Sequence, residues 1–175
     1  LWHGVTGSGK TEVYIRAIEK VVAAGKSAIV LVPEISLTPQ AVRRFTARFG
    51  RVAVLHSGMK DSERSQHWHA IESGWAQVVV GARSAIFAPA RNVGMIVVDE
   101  EHDSSYKQDN LPKYHGRDVA IRRAQMLGVP VVLGSATPAL ESWQNARMNP
   151  GWKLLSLTSR PLGMEMPRVV VVDMK

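Results

Sequence analysis

The chain has 175 residues, 45% of them hydrophobic and 21% charged, the make-up of one soluble globular domain with a sizeable core rather than of a disordered chain. It holds no cysteine, which excludes disulfides and thiolate zinc sites and fits a reducing compartment, the cytoplasm being the expectation. The formal charge of +7 suits either a polyanionic partner or a merely solvated basic surface, and no apolar run approaches the ~18 residues of a membrane span.

Residues 1–3 run straight into a glycine-rich loop, with almost no room for a strand to feed it, so the chain is expected to be truncated at both ends. Gly4-Val5-Thr6-Gly7-Ser8-Gly9-Lys10-Thr11 matches GxxxxGKT. Glycines at this spacing let backbone N–H groups close around phosphates at a helix N-terminus. Gly4, Thr6, Gly7, Ser8 and Gly9 are the expected cradle for ATP, Lys10 reaches the β- and γ-phosphates, and the Thr11 hydroxyl holds Mg²⁺.

Helical spacing follows over 11–24, then a β-branched run over 28–32. Thr38-Pro39 places a capping hydroxyl before a proline suited to the first helical position, opening a helix over 39–49. A strand over 52–55, a helix over 61–73 and strands over 78–80 and 95–98 come next. The last ends in Asp99-Glu100-Glu101-His102, and acids at the end of a buried parallel strand sit where ligands bind. Asp99 is placed to hold the Mg²⁺ shell and Glu100 to orient or deprotonate the attacking water; His102 is the further catalytic candidate, or a surface histidine.

Residues 102–115 are polar with tyrosine and lysine and break the alternation. It resumes with a helix over 116–127, a strand over 131–133, a second hydroxyl-proline start at Thr137-Pro138 opening a helix over 138–148, and a strand over 154–157. Residues 158–167, with two prolines and a glycine, are expected to be a linker, and 168–174 is an apolar strand pairing with this sheet or beginning another unit. Continuous rather than alternating apolar runs mean strands covered on both faces: an α/β doubly wound, mainly parallel sheet with helices on both faces, over residues 1–157. The tryptophans at 2, 68, 75, 143 and 152 suit core or hinge packing, and His56, His67, His69 and His102 show no zinc pattern.

A GKT loop, then DExH, then Gly134-Ser135-Ala136-Thr137-Pro138 resembles the ordered motifs of superfamily-two helicases. The longer segments GVTGSGKTEVY, LVPEISLTPQ, LHSG, GARSAIF, DEEHDSSYKQ and GSATPALES look like those of the primosomal DNA helicases that restart replication, along nearly the whole chain. The resemblance implies the first RecA-like lobe of an ATP-dependent DNA motor, whose partners are single-stranded or forked DNA, a second lobe of the same protein and other replication-restart proteins. Family zinc cysteines belong to that second lobe. By the same carry-over Pro33, Ser57 and Arg83 are DNA-backbone contacts and Ser135 with Thr137 couple the ATP site to the DNA track, the alternatives being a surface salt bridge for Arg83 and a helix cap for Ser135 and Thr137.

Residues 104–115 resemble an aromatic-rich loop that senses single-stranded DNA, in which Tyr106, Lys107, Tyr114 and His115 combine base stacking with phosphate contact, or serve packing. Leu111-Pro112 stands where some relatives carry a tryptophan. A P-loop kinase does not need DExH followed by SAT, and no guanine-reading NKxD motif is present. Another DNA or RNA helicase lobe, or a nucleotide- and DNA-binding module without turnover, are the alternatives.

Overall fold

The computed structural model describes residues 1–157; the expected linker and apolar segment over 158–175 lie outside the described residues. In chain order the strands are β1 (Trp2–Gly4), β2 (Ser27–Leu31), β3 (Val52–Leu55), β4 (Val78–Gly81), β5 (Val93–Val98), β6 (Lys107–Gln108), β7 (Tyr114–His115), β8 (Val131–Ser135) and β9 (Leu155–Leu157). The helices are α1 (Lys10–Ala23), α2 (Pro39–Phe49), α3 (Asp61–Glu72), α4 (Gly116–Leu127) and α5 (Leu140–Met148). Seven strands form one parallel sheet in the order β3-β4-β2-β5-β8-β1-β9, while β6 and β7 make a separate antiparallel pair.

Every residue of β2, β4 and β5 is buried, as strands covered on both faces require. Alternate side chains feed two cores. Ala28, Val30, Val78, Val80, Met95 and Val97 pack with Tyr14, Ile15 and Ile18 of α1 and Phe45 of α2. Ile29, Leu31, Val79, Ile96 and Val98 pack on the other face with Ile71 of α3 and Ala120 and Ala124 of α4. The two-residue period of the strands thus converts one continuous apolar run into two helix-covered faces.

Parallel pairing puts all the strand ends that matter on one edge. His3 lies beside Ser135, Leu31 beside Gly81 and Val98, and Leu55 beside Gly81. The loops leaving β1, β2, β3, β4, β5 and β8 therefore emerge together at the carboxyl edge, where open α/β sheets bind ligands.

Two details differ from the sequence expectation. Residues 2–4 do form a strand, short but paired on both sides by β8 and β9. Thr38 caps α2 as expected, its Oγ1 accepting from Ala41 N at 3.2 Å, whereas the second hydroxyl-proline pair opens no helix: α5 starts at Leu140 with Ala139 at its cap. The Thr137 hydroxyl is engaged elsewhere, 3.3 Å from His102 Nε2, and the Ala139 N–H is taken by the Glu101 carboxylate at 2.8 Å.

Candidate functional site

The loop between β1 and α1 turns through Gly7 (φ 80°) and Gly9 (φ 88°), left-handed conformations that glycine adopts without a Cβ penalty. Ser8 N donates to Val5 O at 3.0 Å, closing the turn, and leaves Ser8 Oγ buried with no hydrogen-bond partner among the described residues. Lys10, in the first turn of α1, is buried; its Nζ donates to Gly4 O at 2.8 Å and lies 3.8 Å from Glu100 Oε1. The loop, the start of α1, Arg44 and Arg48 of α2, and Asp99 with Glu100 enclose a cleft of about 640 Å³ that also takes in Thr6 and Thr11.

Asp99 follows β5 directly, and its N–H donates to Leu31 O at 2.9 Å, which fixes the start of the acidic turn. Its Oδ1 is buried and has no donor in hydrogen-bonding geometry among the described residues. Burial, with the neighbouring Glu100 charge adding to it, pushes the Asp99 carboxyl up to about 6. A buried carboxylate oxygen without a donor, lining the same cleft as the Thr11 hydroxyl, is hard-cation chemistry, so these oxygens fit Mg²⁺ carried in with a nucleotide.

Glu100 adopts φ 44°, a left-handed conformation uncommon outside glycine, of the kind that clusters at functional sites. That turn places its carboxylate between Lys10 and His102, whose Nδ1 lies 3.7 Å from Oε2. His102 in turn reaches Ser135 Oγ at 2.7 Å and Thr137 Oγ1 at 3.3 Å, while Thr137 N donates to Ser135 Oγ at 2.9 Å. Lys10, Glu100, His102, Ser135 and Thr137 thus form one connected polar line from the phosphate loop to the end of β8.

Two features of this line are not read from the motifs. Tyr14 of α1 is buried with its hydroxyl near Asp99, and a Cβ at Gly134 would lie 1.5 Å from that oxygen, so β8 needs glycine there. Glu101, the variable letter of DExH, is fully buried and receives Ala139 N at 2.8 Å, Ser142 Oγ at 2.8 Å and Arg117 Nη1 at 3.1 Å. The only sequence signal for it is an acid adjoining an apolar strand, which Asp99 and Glu100 share.

Along the same sheet edge, Pro33 ends the extended segment after β2 and begins the turn Glu34–Ser36. Glu34, Ser57, Arg83, Ser84 and Ser105 line a second, smaller hollow of about 210 Å³. The Glu34 carboxylate accepts from both the N–H and the hydroxyl of Ser57. Arg83 forms no salt bridge among the described residues; its Nη1 donates to Ser105 O at 3.0 Å and to Lys107 O, and its guanidinium carbon lies 5.6 Å from the Tyr114 ring centre.

Tyr106 requires a correction. Of the two readings, stacking on a base or packing, the structure gives packing: its ring is fully buried and its hydroxyl donates to Asp99 O at 2.6 Å, so in this fold it has no face to offer a base. Lys107 is exposed and pairs with Asp109 at 3.0 Å. Tyr114 and His115 are half-buried; Tyr114 meets the exposed Phe87 edge to face at 5.1 Å, and burial lowers the His115 pKa. Phe87, at the end of the GARSAIF segment, is an exposed aromatic that the motif reading passes over.

A parallel sheet with a phosphate loop, an acidic turn and a serine-threonine loop at one edge defines a P-loop nucleotide-binding lobe. The chain belongs to the DEAD/DEAH box helicase family, whose profile matches residues 1–146. It is 58% identical over 176 residues to the replication restart protein PriA of Bacillus subtilis, covering 100% of this chain and 22% of that protein. Its identity to the replication restart protein PriA of Treponema pallidum is 52% over 172 residues, covering 98% of this chain and 26% of that protein. The chain therefore spans only about a quarter of the length of these relatives or less. Among solved structures, RecG bound to a three-way DNA junction is similar at TM-score 0.65 and 25% identity, over 94% of this chain and 21% of that one. The helicase domain of Pyrococcus furiosus Hef matches in fold, at TM-score 0.62 and 20% identity, over 90% of this chain and 34% of that one.

Proposed function

We propose that residues 1–157 are the first RecA-like motor lobe of a replication-restart DNA helicase, binding Mg-ATP and hydrolysing it in the intact protein to move along single-stranded or forked DNA. The observation that carries the reading is the convergence of Lys10, Asp99 and Glu100 on one cleft, with Asp99 Oδ1 and Ser8 Oγ buried there without a hydrogen-bond partner among the described residues. Loop N–H groups from Gly4 to Lys10 cradle the phosphates, and Lys10 Nζ turns from Gly4 O and Glu100 to the β- and γ-phosphate oxygens. Thr11 and Asp99 hold Mg²⁺, which when bound neutralises charge on the phosphate oxygens. Glu100, released from Lys10, orients the attacking water and accepts its proton.

His102, Ser135 and Thr137 carry the state of that site to the sheet edge where Ser57, Arg83, Lys107 and Tyr114 face the DNA, while Pro33, expected there too, is buried with its carbonyl taken by Ser36 N and shapes the turn beneath that edge. Arg83 acts there by bracing the hairpin as well as by charge. A second lobe of the same protein closes over the nucleotide and supplies the arginine whose loss costs about 10³–10⁵ in rate where such residues have been measured. The protein works in the cytoplasm, and other replication-restart proteins are its partners. The identities to PriA support the replication role.

The test is ATP turnover by the full-length protein with single-stranded DNA or RNA added. Stimulation by DNA is expected; stimulation by RNA alone would move the chain to the RNA helicases, and none by either would remove the motor reading and leave a nucleotide-binding module.

A further inference from the structure

The acidic turn is tied to the 107–115 hairpin at two points. One is the Tyr106 hydroxyl, which donates to Asp99 O at 2.6 Å. The other is Arg117, in the first turn of α4 immediately after β7, which reaches back to Glu101 at 3.1 Å. Glu101 itself hydrogen-bonds the opposite side, through Ala139 N and Ser142 Oγ of the segment that follows the Ser135 to Thr137 loop, and its own N–H donates to Gly134 O at 3.0 Å. Neither Glu101 nor Arg117 lines the nucleotide cleft. Replacing a buried ion pair by apolar side chains is often neutral or stabilising, so stability alone is a weak reason for this one, in which Glu101 is fully buried and Arg117 nearly so. Its geometry gives a better reason, since one carboxylate joins the hairpin helix, the acidic turn and the serine-threonine loop.

We propose that Glu101 and Arg117 are a positioning pair that transmits occupation of the 107–115 hairpin by single-stranded DNA to the acidic turn and the Ser135 to Thr137 loop. The inference rests on the motor reading above. A shift of the hairpin as a unit carries Arg117 with it, because α4 begins at Gly116 directly after β7 and Arg83 ties the hairpin together by holding Ser105 O and Lys107 O and packing against Tyr114. Moving Arg117 moves the Glu101 carboxylate, and with it the two donors that set where α5 begins.

The test is steady-state ATP turnover of the full-length protein, with and without saturating single-stranded DNA, alongside DNA affinity and thermal melting. Arg117→Met keeps the aliphatic stem and removes the charge. It should cut the DNA-stimulated part of kcat about tenfold while the KM for ATP and the DNA affinity stay within about twofold, and Arg117→Lys should restore most of the loss. If Arg117→Met does not fold, Ser142→Ala, which removes one donor and leaves the ion pair, should lower the stimulated kcat about two- to fivefold with the same unchanged KM. Full stimulation in the folded Met variant overturns the proposal. So does a joint fall in kcat, ATP affinity, DNA affinity and melting temperature that Lys does not rescue, since that is packing alone. A wild-type protein that DNA does not stimulate refutes the motor reading itself, a result seen before any substitution is made.

Discussion

Asp99 carries a sharp pH signature. Its carboxyl is raised from 3.8 to about 6 by burial and by Glu100, so the folded protein holds a proton that the unfolded chain releases. The sign follows from linkage: this group favours the fold most below the unfolded value, and that contribution is lost as pH rises through about 6. Mg²⁺ needs the ionised form. Mg²⁺-dependent ATP binding should therefore strengthen as pH rises through about 6, and Asp99→Asn should lose both the inflection and most of the Mg²⁺ dependence. Binding titrations across that range check this; an inflection that survives Asp99→Asn would assign it to another group. Lys10, Asp99 and Glu100 could be picked out because phosphate and Mg²⁺ chemistry calls for those side-chain types at short fixed spacings, with His102 a candidate in the same turn; Ser135 and Thr137 came from the helicase resemblance alone. Glu101 was legible by neither route, because what singles it out is contact with Arg117, Ala139 and Ser142, remote in sequence.

At the scale of elements, β8 and α1 meet at one point. The Tyr14 hydroxyl lies over the Gly134 backbone, and a Cβ there would sit 1.5 Å from it and 2.6 Å from the ring carbon that bears it. Gly134→Ala must displace a buried ring, so it should destabilise by about 1–3 kcal/mol, and Tyr14→Phe in the same chain should recover part of that. Chemical denaturation of the two single variants and the double variant measures the coupling; strict additivity would show that the contact is not the cause. Six strands (β2, β3, β4, β5, β8 and β9) and four of the five helices were readable from continuous apolar runs, helical spacing and the Thr38 cap, whereas β1 and the β6–β7 pair, two or three residues each, carry no apolar run long enough to read. The start of α5 was not readable either, because Thr137-Pro138 has the right local chemistry for a cap while His102 and Glu101 outcompete it through tertiary contacts. For Tyr106 the loop's polar context left stacking and packing both open, and the contact that decides for packing, its hydroxyl on the Asp99 carbonyl, is a tertiary one.

For the whole molecule, a net charge of +7 is a statement about partners rather than about fold. DNA binding should weaken linearly on a log–log plot against salt. Lys107→Ala, which removes an exposed cation beside the hairpin, should reduce the magnitude of that slope by about 0.7, the worth of one phosphate contact on a single strand. An unchanged slope would take Lys107 off the DNA path. The sheet order could not be read from the chain, since adjacency of β5, β8 and β1 is decided by packing across the molecule, yet that order is what brings the phosphate loop, the acidic turn and the serine-threonine loop to one edge.

The central claim is that this edge is a Mg-ATP site, and calorimetric titration of Mg-ATP into the protein tests it most directly, with Lys10→Ala and Glu100→Gln alongside. The wild-type chain and Glu100→Gln should bind, while Lys10→Ala should weaken binding at least about tenfold, as loss of a charge-assisted hydrogen bond demands. A folded wild-type chain that does not bind, or a Lys10→Ala variant that binds as tightly as the wild type and Glu100→Gln, would contradict the account.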